Sequence, residues 1–349
     1  MASGRLGIAV IGTGAIARRF AADMRYSRNA RIVAVGARDA EKARVFARAV
    51  GQTVFHGSIE AVMTLPSVDA VYVATSNVVH AAHARCAIAS GKAALVEKPF
   101  AITADEAEDV CSFARSKGVF VMEAMWARFT PGIRRLKAIC ESGELGVIRR
   151  VHAEIGYPSS GTSISDTKGG ALLDLGVYPI SLAQHLLGPP TRVQASGRRN
   201  NAGVVMRAEL LIEHGDAFAS LSSAWDAEAT NRLSIVGDNG VVEAQSPLFS
   251  PPLLSLRRTR RPGSVTERVS YPAGIEAGAR ISRLRAIKDG LRPLRARRVL
   301  TLFEGSGLQY QVDHMTECLR AGRQESPIIP LADSCRTLRI IDEAMTQIS

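Results

Sequence analysis

Short apolar runs alternate with longer stretches of helical periodicity through the first third of the chain. LGIAVIG is followed by AIARRFAADMRYS, and ARIVAVGA by DAEKARVFARAVG, which closes on Gly51. DAVYVATS, HAAHARCAIASG, AALVEKPF, TADEAEDVCSFARSKG and VFVMEAMW continue the alternation to about residue 125. Fully apolar runs suit strands buried on both faces, and the amphipathic stretches between them suit crossover helices. Thr103, with Glu106 three residues later, makes a capping-box start for one of those helices. The pattern predicts an α/β fold whose first domain, residues 1–125, is a doubly wound parallel sheet of the Rossmann kind.

Beyond residue 125 strand-like runs follow one another with turn signals between them: VIRRVHAEIGY, TRVQASGRRN, VVMRAELLIEHG, AFASLSSAWDA and RLSIVGDNGVVEAQ. GDNG in the last of these reads as a hairpin turn. One helical segment, Gly170 to Leu187, interrupts the strands, and another runs from Leu331 to the end. Residues 126–349 therefore read as a second domain, an α+β unit with a large, mostly antiparallel sheet and helices on one face. No internal repeat is evident.

A chain of 349 residues has room for two such cores. With 46% hydrophobic and 22% charged residues it is neither disordered nor, lacking any run of about 18–20 apolar residues, membrane-spanning. The start, MASGRLGIAVIGTG, reads as strand and turn and not as a signal peptide. Cys86, Cys111, Cys140, Cys318 and Cys335 are scattered, without a C-x-x-C pair, which suits reduced thiols in a cytoplasmic enzyme with no structural metal. The net charge of +11 is concentrated between Arg257 and Arg298, where 13 basic residues face three acidic ones. In ARISRLRAIKDGLRPLRARRVL, Ile281, Leu284, Ile287, Leu291 and Leu294 form a helical stripe that Pro293 should kink. A membrane-surface helix, a nucleic-acid patch or a lid over an anionic substrate would each use such an insert (residues 257–298). The favoured reading is a solvated insert packing on its own domain or on a second subunit, and without interleaved aromatics no nucleic-acid role is expected.

VIGTGAIARRF contains G-x-G-x-x-A at Gly12, Gly14 and Ala17, between a strand and a helix. The first glycine permits a tight turn, the second lets backbone N–H groups approach a pyrophosphate, and Ala17 allows close helix packing; Ala15 and Ile16 lie within the same loop. Where the second strand ends, the sequence reads VGARD. Ala37 removes the carboxylate that would hold the ribose hydroxyls of NAD, and Arg38 can pair with a 2′-phosphate, so NADP is favoured over NAD. The alternative is that Arg38 is merely solvated and Asp39 reaches the ribose.

EKP at Glu97, Lys98 and Pro99 ends a strand on the side where ligands gather. Lys98 there can hold positive charge near a reacting oxygen, with Glu97 fixing and neutralising it and Pro99 setting the turn, in cis if need be. In KGGALLDLGVYPIS, Asp174 and Tyr178 are four apart and share a helix face, while Gly169 and Gly170 leave room for a ligand. Tyr178 is a candidate acid/base. Lowering a phenol from about 10 toward neutrality requires roughly 3–4 kcal/mol. A lysine about 4 Å away supplies about that much at an effective dielectric near 20, so Lys98 is expected to tune it.

GTGAIA, EKP and GGALLDLGVYP, in this order and spacing, resemble the glucose–fructose oxidoreductase, inositol dehydrogenase and MocA family over nearly the whole chain. VAVGARDAEKARVFA, MEAMWARF, ASGRRNNAGV and ECLRAGRQESPIIPLADS are most similar to its dimeric dihydrodiol dehydrogenase and NADP-linked sugar dehydrogenase branch, as is tyrosine where many relatives have histidine. The resemblance implies a catalytic pair Lys98 and Tyr178 oriented by Asp174, and a nicotinamide and substrate pocket lined by Trp126 and Arg128. It also implies cofactor contacts from Thr75, Asn77, His80 and Glu97, and a 2′-phosphate held by Arg38 and Lys42. Ser76 replaces the family's usual proline, and no acidic residue stands near Val205, which bears on substrate contacts more than on the cofactor. The implied activity is hydride transfer between NADP(H) and an alcohol or hemiacetal of a sugar, polyol or cyclic diol, by a homodimer or homotetramer. Alternatives are a ketoreductase acting on a nucleotide-linked sugar and a dinucleotide-binding sugar sensor without turnover; retention of both Lys98 and Tyr178 argues against the sensor.

Overall fold

The computed structural model describes residues 4–158, 169–259 and 296–349. Most of the basic insert therefore lies outside the described residues, as does its apolar stripe. The N-terminal strands are β1 (Leu6–Ile11), β2 (Ala30–Gly36), β3 (Phe55–Gly57), β4 (Ala70–Val73), β5 (Ala93–Glu97) and β6 (Val121–Ala124). They run in the order β3-β2-β1-β4-β5-β6 with every pair parallel. The order reverses between β1 and β4, which opens a crevice at their carboxyl ends. β1, β4 and β5 are buried along their whole length, as their unbroken apolar runs predict. Helices α1 (Ala15–Asp23), α2 (Ala40–Val50), α3 (Ile59–Met63), α4 (His80–Ala89) and α5 (Ala104–Lys117) make the crossovers. Thr103 Oγ1 accepts from Glu106 N at 3.2 Å, and the Glu106 carboxylate reaches back to Ile102 N, one residue before the usual partner. The very short β3 and α3 carry no periodic signal of their own.

After α6 (Pro131–Glu141) the chain forms β7 (Ile148–Gly156), α7 (Val177–Leu187), β8 (Arg192–Arg199), β9 (Val205–His214), β10 (Ala217–Ala224), β11 (Leu233–Gly237), β12 (Gly240–Ala244), β13 (Leu253–Arg258) and β14 (Arg297–Leu300). These eight strands form one sheet, β14-β13-β12-β11-β7-β10-β9-β8, antiparallel throughout except where β7 meets β10. Asp238 and Asn239 turn the hairpin between β11 and β12, the turn that GDNG predicts. The inner face (Val151, Ala153, Ile155, Leu210, Ile212, Ala219, Leu221) is buried and α7 lies against it, while Arg150, His152, Arg207 and Glu209 point outward.

Two helices of this half, α6 and α8 (Leu308–Arg320), escape the sequence reading. The start of α8 has no local side-chain cap; Asp23, at the end of α1, accepts from Ser306 N and Leu308 N at 3.0 Å. Its start signal is thus supplied by a residue remote in sequence. The last helix, α9 (Leu331–Gln347), is anchored to both halves: Asp342 accepts from Ala104 N at 2.9 Å, Gln184 donates to Thr337 at 2.7 Å, and Gln347 accepts from Ala195 N at 2.8 Å.

Candidate active site

The crevice above β1 and β4 is a cleft of about 540 Å³ lined by Gly12, Thr13, Gly14, Ile16, Ala37, Arg38, Lys42, Ile59, Thr75, Val78, Val79 and His83, among others. Gly12 has φ +105°, and a Cβ there would stand 2.3 Å from the Ala74 carbonyl oxygen, so the turn admits only glycine. Gly14 differs. Its backbone is extended, and a Cβ built on it meets nothing within 4 Å, so its methyl would project into the open cleft. It precedes α1 without a side-chain cap, which leaves the first N–H groups of that helix facing the crevice. An uncapped helix start beneath an open floor fits a pyrophosphate.

At the end of β2, Ala37 is buried while Arg38 and Lys42 are exposed. Asp39 is taken: its carboxylate caps α2, accepting from Glu41 N and Lys42 N at 3.0 Å each. Those backbone hydrogen bonds and Lys42 keep its carboxyl below the usual range. A carboxylate committed to its own helix is a poor ribose ligand, whereas Arg38 is exposed beside it and Lys42 touches it only through a long, solvent-exposed ion pair of 3.7 Å. The donor set at this end of the cleft fits a phosphate better than a ribose diol.

At the carboxyl end of β5, Lys98 Nζ donates to both Asp174 Oδ1 and the Asp174 carbonyl at 2.7 Å. It lies 5.0 Å from the centre of the Tyr178 ring. Asp174 belongs to a widened turn, Leu172–Gly176, that precedes α7. Pro179 has no N–H, so the regular ladder of α7 cannot run back through Leu175, and the helix opens there. Burial opposes the charge on Lys98, but the negative charges of Tyr178, once ionised, and of Asp174 outweigh it and raise the ammonium above its ordinary value. Lys98 is a fixed cation at neutral pH.

Tyr178 is buried, and Trp126 Nε1 donates to its hydroxyl at 3.1 Å. An indole N–H can only donate, so the phenol accepts there and its own hydrogen is free to point elsewhere. Phe249, which no sequence signal marks, packs 5.6 Å from the Tyr178 ring and 5.0 Å from the Trp126 ring.

The structure corrects several expectations. Glu97 does not neutralise Lys98: its carboxylate accepts from the Tyr72 hydroxyl and from Lys98 N, and burial pushes its carboxyl up to about 7. Asp174 is the partner of the lysine. Lys98 does not bring Tyr178 toward neutrality, because burial raises the phenol and the lysine offsets only part of that rise. Arg128 does not line the cleft. It is completely enclosed and donates to Ser181, to the Ile328 carbonyl and to Asp333, tying the Trp126–Phe129 turn to α7 and α9. In so tight a turn residues two apart face different sides, so Trp126 and Arg128 part company. Gly169 and Gly170 make room for protein, not ligand: a Cβ on Gly170 would meet the Val205 carbonyl oxygen at 2.2 Å.

Of the remaining expected contacts, Thr75 and Asn77 follow β4, and of the two Thr75 lines the cleft. His80 is buried behind that loop with its ring nitrogens 2.8 Å from the Pro99 carbonyl and 3.1 Å from the Thr75 carbonyl. It braces the loop and the Lys98–Pro99 turn, whose peptide is cis. Its neighbour His83, absent from the sequence reading, faces the cleft. Among the described residues no helix is long and apolar enough to cross a membrane.

Residues 6–125 match the family model described as an oxidoreductase family with an NAD-binding Rossmann fold, and residues 133–243 match the GFO/IDH/MocA C-terminal domain. The rabbit (Oryctolagus cuniculus) trans-1,2-dihydrobenzene-1,2-diol dehydrogenase is 31% identical over 318 residues, covering 89% of this chain and 88% of the relative. The human enzyme of the same name is 30% identical over 318 residues, covering 89% of this chain and 87% of its own. Among solved structures, an aldose–aldose oxidoreductase from Caulobacter crescentus superposes with a TM-score of 0.81 at 23% identity, covering 98% of this chain and 97% of that one. A 3-ketoreductase from Actinomadura kijaniata in complex with NADP gives 0.76 at 23%, covering 99% and 98%. At that identity the two structures speak for the fold alone.

Proposed function

The chain belongs to the GFO/IDH/MocA oxidoreductase family, and from that premise we propose that it is an NADP(H)-dependent dehydrogenase or reductase interconverting a secondary alcohol or hemiacetal of a sugar, polyol or cyclic diol with its carbonyl or lactone. The observation that carries the reading is the convergence of Lys98, Asp174 and Tyr178 at the end of β5, beside a cleft whose floor suits a dinucleotide. The cofactor, when bound, supplies the hydride or receives it. In reduction, the Tyr178 hydroxyl gives its proton to the substrate oxygen while the Lys98 ammonium stabilises the negative charge that gathers there. In oxidation, the phenolate takes that proton back. Asp174 holds Lys98 in place, and Trp126 holds the phenol oxygen so that its hydrogen faces the reacting atom.

The test is NADPH fluorescence during incubation with aldoses, ketoses, cyclic diols and nucleotide-linked sugars. Turnover of at least one alcohol or carbonyl is expected; tight dinucleotide binding with no turnover anywhere would make the chain a sensor. Gly14→Ala checks the cofactor floor. The methyl meets no protein atom, so thermal unfolding should stay within about 2 °C of the parent, a change under roughly 1 kcal/mol. Dinucleotide affinity should nonetheless fall by an order of magnitude or more, since the methyl intrudes where a pyrophosphate would lie. Unchanged affinity would remove the pyrophosphate from this floor.

The assembly is read as a homo-oligomer built on the outer face of the eight-stranded sheet. That face exposes Phe218 (40%) and Leu211 (41%) among its polar residues. Phe218→Glu should shift the light-scattering mass toward that of one chain, and an unchanged multimer would exclude the face.

A further inference from the structure

His83 projects from the first half of α4 into the cleft that Arg38 and Lys42 also line, near enough to Arg38 to feel its charge. Its Nδ1 lies 3.0 Å from Thr75 Oγ1, and among the described residues its Nε2 has no protein partner. The contrast with His80 is instructive, because there both nitrogens are occupied by backbone carbonyls. With Thr75 at one nitrogen, the other is left to a ligand.

The charges around His83 come from three directions. Glu60 on α3 favours the imidazolium, while Arg38, in the loop after β2, disfavours it. His80, one turn back on the same helix, also interacts with it. Burial is the largest influence, and the net result is a pKa below the ordinary 6.5, so the ring of the free protein is neutral at pH 7. A dianion placed between Arg38, Lys42 and His83 would reverse the balance. It would compensate the Arg38 charge that now disfavours the imidazolium and accept a charge-assisted hydrogen bond from Nε2. Asp39, which could oppose a phosphate, is already committed to capping α2.

We propose that His83 is a third contact for the 2′-phosphate of NADP(H), and that its protonation couples selection of NADP over NAD to pH. This rests on the cofactor reading above. The sign follows from linkage: a ligand that raises a group's pKa takes up protons on binding and binds more tightly as pH falls. The phosphate's own second ionisation, near 6, works in the opposite direction, so the effect must be read as a difference between variants.

Calorimetric titration of the full chain with 2′,5′-ADP and with 5′-AMP separates the contributions. At about pH 6, His83→Ala should weaken 2′,5′-ADP on the order of tenfold, the size of one charge-assisted contact. At about pH 8.5 the loss should fall below about threefold, and 5′-AMP should change less than about twofold at either pH. His83→Gln, neutral at every pH, should behave as the alanine does. Titration in buffers of different ionisation enthalpy should show proton uptake with 2′,5′-ADP in the parent that exceeds uptake in either variant. Equal losses for the two nucleotides would assign His83 to the adenine and overturn the proposal, as would a loss independent of pH. Arg38→Ala provides the separate check. If it leaves the preference for 2′,5′-ADP intact, the 2′-phosphate assignment itself fails; if it removes the preference while His83→Ala does not, only the role of His83 is lost.

Discussion

Lys98→Met is expected to lower kcat by about 10³-fold or more while leaving the NADPH Kd within about threefold, since it removes a preorganised charge from the reacting oxygen. The ammonium is held by two hydrogen bonds to Asp174 and stays charged at neutral pH. Methionine keeps the length of the stem but has no charge and no donor. The fold should tolerate the change, because the Asp174 side chain is 36% exposed and water can solvate it once its partner is gone. The dinucleotide floor at Gly14 and the cations at Arg38 and Lys42 belong to other elements, so affinity should survive. Rapid-mixing kinetics with a substrate from the panel, together with fluorescence titration of NADPH, would measure both quantities. A variant with kcat within tenfold of the parent would end the proposed mechanism, and a Kd that weakened as much as kcat would move Lys98 from chemistry to binding.

Tyr178→Phe should reduce turnover by about 10²–10⁴-fold, the usual reach of a positioned acid or base. It should also leave Trp126 Nε1 without its acceptor, at a cost of roughly 1–3 kcal/mol in stability. The pH profile carries more information than the rate. Burial raises the Tyr178 phenol above 10, so at neutral pH it is protonated and ready for reduction. Reduction needs the phenol and should be flat through neutral pH, falling only above about 10. Oxidation needs the phenolate and should climb about tenfold per pH unit from neutral to about 10. Initial rates in both directions would reveal the asymmetry, and Tyr178→Phe should abolish the slope in oxidation. A variant that kept both rate and slope would show that the proton comes from elsewhere.

Much of the fold was legible because its signals are local. The buried parallel strands announce themselves as unbroken apolar runs, the loop at Gly12 and Gly14 lies between a strand and a helix, and GDNG contains its own turn. The elements that escaped have non-local causes. The cap of α8 comes from Asp23, and β13 and β14 flank the basic insert and pair with one another across it. Among site residues, Lys98, Asp174 and Tyr178 could be found from motif and spacing. Tyr72 and Phe249 could not, since neither lies in a motif: Tyr72 acts through its hydrogen bond to Glu97 and Phe249 by packing.

The amino-acid sequence by itself determined the parallel sheet, the glycine floor, the replacement of an acidic residue by Ala37 and Arg38 at the end of β2, and the presence of a lysine and a tyrosine suited to acid–base work. Each follows from residue type and short-range spacing. Only the tertiary structure decided which charge answers which. It gave Lys98 to Asp174 and not to Glu97, enclosed Arg128 against α7 and α9, and turned His83 toward the cleft while His80 was locked behind it. Electrostatic partnership depends on distance and desolvation, and both are set by elements remote in sequence. For the same reason the pKa of Tyr178, which residue types alone would let Lys98 lower, rises in the folded protein because burial outweighs the neighbouring charge.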